Sequence, residues 1–461
     1  MPADSAPTGS PTRAIRELAG WGSTAPTVAE VAPLLDEERL RIDLKGSGRR
    51  GLIARGMGRS YGDAAQNSGG LVIDGTSSSG LMELDIATGE VTALAGTTVD
   101  ELIRWLVPLG WFVPVTPGTR SVTVGGAIAA DIHGKNHHRK GSWCRHVGSL
   151  RLMIGDGTVL DVSQLNDPEL FWATAGGMGL TGVILDATFR MTPIETSWIT
   201  VDTDRAADLD AVMALMADGD ADYDYSVAWI DLVASGAGMG RSVLTRGRFA
   251  RRDELGRRES KRPLEFTDRE LFGAPPLPNG LLNPLTVRAF NEAWYRKSPR
   301  LRRDELQTIG QFFHPLDMIR DWNRMYGPRG CVQWQCVVPF ERGDVIEAAV
   351  RRISATNMSS FLAVLKLFGP GDAAPLSFPT EGWTLALDIP VTPGLERTLD
   401  DLDEQVVEAG GRLYLAKDSR MRPELLPRMY PRVDEWRVVR DRVDPEGRFR
   451  SDLGRRLGLC D

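Results

Sequence analysis

The ten residues Ala54-Arg55-Gly56-Met57-Gly58-Arg59-Ser60-Tyr61-Gly62-Asp63 mix three glycines with two arginines and a serine, directly after the short apolar run 52–54. Pro117-Gly118-Thr119-Arg120-Ser121-Val122-Thr123-Val124-Gly125-Gly126 repeats the mixture. Glycine lets a backbone approach a ligand closely, and successive free N–H groups form a nest that binds anions. One such stretch reads as a tight turn. Two, each flanked by strands, leave a pair of readings open: ordinary turns, or a cradle for a pyrophosphate.

Two other stretches match G-x-G-x-x-G: Gly46-Ser47-Gly48-Arg49-Arg50-Gly51 and Gly177-Met178-Gly179-Leu180-Thr181-Gly182. That fingerprint requires a strand before it and a helix after it, because the pyrophosphate sits on the helix N-terminus. Here a strand follows Gly51, and a helix precedes Gly177, so neither is expected to form a Rossmann nicotinamide site.

Outward from these loops, residues 71–73 and 91–95 read as strands. Residues 99–109 have helical spacing, with Leu102, Leu106 and Leu109 on one side and Asp100 and Glu101 in the first turn. A short helix is predicted at 167–173 and a strand at 183–191. Near residue 195 the pattern changes. Residues 225–231, 332–339, 361–368 and 383–390 are strand-like, separated by helical stretches such as 345–353 and 396–409. This is an α+β pattern, and 461 residues suit two domains. The stretch 271–285 is rich in Pro, Gly, Leu and Asn without a period, and is predicted to be a long mobile loop. Residues 437–457 are charged and helical in part.

The formal charge of -7 argues against nucleic acid as the main partner. Cys144, Cys331, Cys336 and Cys460 form no C-x-x-C pair, so reduced thiols are expected, not a thiolate metal site. Residues 1–14 lack a basic start followed by an apolar run, and are predicted to be a disordered lead-in, not a signal peptide. No apolar run approaches the ~20 residues of a membrane-spanning helix, so a membrane would be met at its surface.

The two glycine loops, together with Phe171-Trp172-Ala173-Thr174-Ala175-Gly176 running into Gly177–Gly182, resemble in order the FAD loops of the vanillyl-alcohol-oxidase superfamily. Asp131-Ile132-His133-Gly134-Lys135-Asn136-His137-His138, Trp294-Tyr295-Arg296-Lys297-Ser298, His314-Pro315-Leu316-Asp317, Lys366-Leu367-Phe368-Gly369 and Ala416-Lys417-Asp418-Ser419-Arg420 narrow the resemblance to the decaprenylphosphoryl-β-D-ribose 2'-oxidases, over residues 20–452.

The resemblance implies an FAD-binding domain of residues 15–196 and 412–461 around an inserted antiparallel-sheet substrate domain of residues 197–411. It implies non-covalent FAD, since Tyr61 stands where several relatives carry the histidine that bonds the flavin. It also implies oxidation of the C2' hydroxyl of a polyprenylphosphoryl ribose. A separate NADH-dependent keto-reductase then completes epimerisation to the donor for cell-wall arabinan. The protein would be cytoplasmic or peripheral at the membrane, on either face. The residues implied at FAD are Ala54 to Ala64, Gly118, Thr119, Thr123, Val124, Gly125, Gly126, Ala130, Asp131, Ile132, His133, Gly179, Val183, Ile184 and Tyr414. Those implied at the substrate are Trp229, Phe313, Gln333, Gln335, Lys366, Phe368, Thr384, Ala386 and Lys417. Ala386, Thr384, Phe313 and Val227 depart from the cysteine, asparagine, tyrosine and serine of the best-known members. The rivals are an aldonolactone or polyol oxidase of the same fold, and a non-redox protein that binds lipid phosphates.

The residues themselves weigh differently. Lys417 reads alone as a solvated strand-end lysine; the family match makes it the base or the group that orients the hydroxyl. His133 and His137 stand four apart, which suits a metal only on a helix. Gly125, Gly126 and Gly134 predict irregular backbone, so no metal is expected and His133 is placed at the flavin edge. Gln333 and Gln335 share one side of a strand. Lys366 sits in an apolar run, where a charge requires a partner: a substrate phosphate or a structural carboxylate. Trp229 suits core or pocket wall, and His314 is read as structural.

Overall fold

A computed structural model describes residues 13–268, 270–356, 358 and 360–460. Most of the expected lead-in, residues 1–12, lies outside the described residues. The boundary at residue 14 needs correction. Ala14–Leu18 is a strand antiparallel to Thr27–Pro33. Arg13 anchors it through Asp43 (2.6 Å) and Glu30 (3.1 Å).

Three sheets carry the molecule. The first has four strands in the order Ala14–Leu18, Thr27–Pro33, Leu71–Asp74, Leu52–Arg55, and its last two pairings are parallel. The second has five antiparallel strands in the order Leu81–Asp85, Glu90–Leu94, Val183–Arg190, Val147–Met153, Val159–Ser163. The third has eight antiparallel strands in the order Leu301–Thr308, Trp198–Ala206, Ser242–Phe249, Tyr225–Ile230, Ala363–Phe368, Gly382–Pro390, Cys331–Val338, Arg412–Leu413. The fold is α+β.

The strand Cys331–Val338 is buried along its whole length. Its alternation explains why. Trp334 points to the helix Leu395–Glu408, where its Nε1 donates to buried Asp403 at 2.8 Å. Gln333 and Gln335 therefore point to the opposite face of the sheet, which is where the cavity described below lies.

After Arg412–Leu413 the chain returns to the first two sheets. Leu52 N–H donates to the Arg448 carbonyl (2.8 Å), and Arg450 N–H donates back to Leu52 (2.9 Å). Trp436 Nε1 donates to the Ala173 carbonyl (2.9 Å).

Two local expectations are corrected. Gly125 and Gly126 are not irregular: Val124–Ala129 is a helix, capped by Thr123, whose hydroxyl accepts from Gly126 N–H at 3.1 Å. The cap and the close fit against Ala95, whose Cβ lies 3.1 Å from where a Gly125 Cβ would stand, override glycine's poor helix propensity. The stretch 271–285 is not one loop. Phe272–Gly273 pairs in parallel with Ile319–Arg320, and Asn283 caps a helix, Pro284–Lys297, with proline at its first position.

Candidate active site

One cavity of ≈ 1000 Å³ is bordered by both glycine loops, by the cavity face of the eight-stranded sheet and by the Pro284–Lys297 helix. At the loop end the backbone does the work. The N–H groups of Met57, Gly58, Arg59, Ser60, Gly118 and Thr119 have no protein acceptor among the described residues. A Cβ at Gly118 would enter open space, with no protein atom within 4 Å. A Cβ at Gly56 would collide with the Thr123 side chain. The arginines are committed elsewhere: Arg55 donates to the carbonyls of Ala19 (2.7 Å) and Ala65 (3.0 Å). Arg59 donates to Ser121 (3.2 Å) and lies 3.9 Å over the Trp21 ring. Six free N–H groups around an open glycine fit the pyrophosphate of FAD.

Most residues expected at FAD border this cavity: Ala54 through Tyr61, Ala64, Gly118, Thr119, Thr123, Gly125, Gly126, Ala130, Ile132, His133, Gly179, Val183, Ile184 and Tyr414. Four do not. Gly62 packs tightly on the Asp418 backbone, and Asp63 pairs with Arg456 at 2.7 Å. Val124 is core. Asp131 accepts from Cys144 N–H (3.0 Å) and the Ser377 hydroxyl (2.6 Å), holding a turn with φ 38°. These four shape the loops from behind.

At the sheet end lie the groups with chemistry. Lys417 Nζ sits 4.4 Å over the Tyr61 ring. The Tyr61 hydroxyl donates to Asp388 at 2.9 Å, and Gln333 donates to the other oxygen of the same carboxylate. Burial lowers the Lys417 ammonium to about 8, against the opposing pull of Asp388. Burial likewise raises the Asp388 carboxyl to about 6. His133 is wedged between Phe368 (centroids 4.8 Å) and Tyr414 (5.1 Å), and burial drives its pKa well below the usual histidine range. Its Nε2 accepts from Gln335 at 3.0 Å, which places the proton of the neutral ring on Nδ1; that atom has no protein partner.

Lys366 and Lys135 also border the cavity. Burial takes each to about 7, helped at Lys366 by the charge of Lys417 and at Lys135 by that of Lys366. Lys135 donates to the Phe312 carbonyl. Among the described residues no carboxylate lies within ion-pair distance of Lys135, Lys366 or Lys417.

Trp229, Phe313, Gln333, Gln335, Lys366, Ala386 and Lys417 border the cavity, as does Val227. Phe368 and Thr384, expected at the substrate, do not. Phe368 is buried under the rings of His133 and His137, and Thr384 lies behind Gln335, accepting from its amide at 3.3 Å. Strand parity gives the side a residue faces, not how far along the strand the cavity reaches. Phe313 has most of its ring in an aromatic cluster with Phe112 and Tyr225. His314 is fully buried and shares a 2.7 Å hydrogen bond with Thr116.

Asp388 and Lys135 escaped the sequence reading. Asp388 is the lone charge in Gly382–Pro390, the same signal that singled out Lys366. Lys135 was hidden between a glycine and two histidines.

A family profile described as an FAD binding domain matches residues 46–163, and one described as D-arabinono-1,4-lactone oxidase matches residues 392–457. The chain is 47% identical over 450 residues to the decaprenylphosphoryl-β-D-ribose oxidase of Mycolicibacterium smegmatis, covering 96% of this chain and 98% of that one. It is 43% identical over 372 residues to an uncharacterised protein of Streptomyces coelicolor, covering 78% of this chain and 100% of that one. The L-gulonolactone oxidase of Mus musculus is 31% identical over 147 residues, 31% of this chain and 33% of its own. The chain therefore belongs to the decaprenylphosphoryl-β-D-ribose oxidase family and is an FAD-dependent oxidoreductase.

Proposed function

We propose that this enzyme oxidises the C2' hydroxyl of decaprenylphosphoryl-β-D-ribose, or a similar polyprenylphosphoryl ribose, to the 2'-keto product. The observation that carries this reading is the set of three half-buried lysines around one cavity, none with a carboxylate within ion-pair distance among the described residues. Cations drawn partly out of water without a close counter-charge are costly, and an anionic substrate relieves that cost. Lys366 and Lys135 meet the phosphate, and Gln333 and Gln335 hold ribose hydroxyls. Lys417 receives the hydroxyl proton; its ammonium, lowered to about 8, supplies a useful fraction of free amine near neutrality. The backbone cradle of Met57 to Ser60, Gly118 and Thr119 would hold FAD, which when bound would supply the hydride acceptor for the carbinol carbon. His133, neutral through burial, fixes the amide of Gln335 through its Nε2 and so positions that glutamine for the ribose.

FAD is held without a covalent bond in this reading, because Tyr61 offers no ring nitrogen and its hydroxyl is engaged by Asp388. Denaturation should release all the flavin; yellow precipitate would contradict this. Among the described residues no helix is long and apolar enough to cross a membrane. In this reading the lipid-linked substrate is met at the membrane surface. A separate NADH-dependent reductase consumes the keto product.

The test is anaerobic flavin bleaching by a polyprenylphosphoryl ribose and by an aldonolactone. Bleaching by the lipid-linked sugar is expected. Bleaching by the lactone alone would favour the lactone-oxidase reading. Bleaching by neither, with FAD bound, would leave a non-redox binding protein.

A further inference from the structure

The stretch 271–301 holds seven of the nineteen large apolar side chains that stand exposed among the described residues. Its centre is the helix Pro284–Lys297. The inner face of that helix is fixed: Val287 and Asn291 are buried, Asn291 donates to Asp231 at 2.7 Å, and the Tyr295 hydroxyl donates to the Ala206 carbonyl at 3.1 Å. The outer face therefore cannot roll inward. It presents Leu285, 79% exposed, and further round the helix Phe290 and Trp294, which stack on each other. Leu271 and Phe272 extend the same exposed apolar character.

The charge of this face contrasts with that of the chain as a whole, whose formal balance is -7. Arg288, Lys297 and Arg300 have no carboxylate partner among the described residues. Glu292, the acid of the helix, is already paired with Arg241 (2.6 Å) and Arg296. Phe290, Trp294 and Lys297 also border the cavity, so the face ends at its mouth. Leucine and aromatic side chains flanked by free cations on one short helix are the pattern of an interfacial helix. Each free cation near such a surface adds about 1 kcal/mol of attraction to anionic lipid.

We propose that the helix Pro284–Lys297, with Leu271 and Phe272, seats the protein on a bilayer rich in anionic lipid. The cavity mouth then opens at the contact, and a lipid-linked substrate enters headgroup first without its chain crossing water. The inference rests on the lipid-linked reading only for what passes through the mouth; the docking itself needs no substrate.

The test is flotation of the FAD-loaded full chain with vesicles of phosphatidylcholine, with and without phosphatidylglycerol. Binding to the anionic vesicles is expected, weakening with salt. Arg288→Ala and Arg300→Ala should each reduce it about fivefold. Leu271→Glu combined with Leu285→Glu should abolish it while flavin content and turnover of a short-chain soluble analogue stay unchanged. Absence of binding to anionic vesicles, or equal binding by these variants, overturns the proposal. So does a change of oligomeric state in the double variant with vesicle binding intact, which would make the face a contact between proteins. If vesicles bind as expected but no sugar bleaches the flavin, the substrate reading fails and the docking surface stands.

Discussion

The two ends of the cavity recognise by opposite means. The cradle formed by residues 54–61 and 117–126 uses backbone N–H groups and turns its arginines away. The opposite end uses a few charged side chains, half-buried Lys417, Lys366 and Lys135 and fully buried Asp388, with little to neutralise them. A cradle of backbone tolerates side-chain change as long as nothing fills the space. A cluster of such charges is sensitive to any single group. One end is thus built for a constant cofactor, and the other for the chemistry and choice of substrate.

The comparison breaks most visibly at Lys417. Lys417→Ala should keep its flavin yet reduce it about 10²–10⁴-fold more slowly, the usual cost of losing a general base. A variant that loses FAD instead would assign Lys417 to the cradle. The converse experiment is Gly118→Val. Its Cβ meets no protein atom within 4 Å, so stability of the apoprotein should hold while FAD affinity falls roughly tenfold or more, as for a lost charged hydrogen bond. Unchanged affinity would mean the cofactor does not approach Gly118. Asp388→Asn is subtler. The carboxylate raises the Lys417 pKa against burial, so its removal should move the alkaline-rising limb of flavin reduction to lower pH, by roughly one unit. A shift to higher pH would contradict the long-range pull of Asp388 on Lys417. Smallest in structural terms is Ala386→Cys. The four native cysteines are buried, so a thiol-alkylating reagent should leave the native enzyme active. The new thiol borders the cavity, and its alkylation should inactivate the variant, with protection by substrate.

Much of the cradle was legible because glycine-rich loops act through local backbone, which short stretches encode. The two glutamines were legible through strand alternation. What escaped depended on distance along the chain. Nothing near Tyr61 announces that its hydroxyl meets Asp388, 327 residues later. Phe368 and Thr384 share the parity of cavity residues, but rings and an amide from other elements cover them. Gly125 and Gly126 looked irregular because propensity is a local quantity, whereas Ala95 and the Thr123 cap that hold their helix are not.

The chemistry of the cavity turns on whether the hydroxyl proton goes to Lys417. The direct measurement is the rate of anaerobic flavin reduction by a polyprenylphosphoryl ribose, followed against pH in the native enzyme and in Lys417→Ala. The account expects a native rate that rises with pH through about 8 and then levels, as the amine loses its proton, and a slow rate without that limb in the variant. A limb of the same height and midpoint in Lys417→Ala would contradict it.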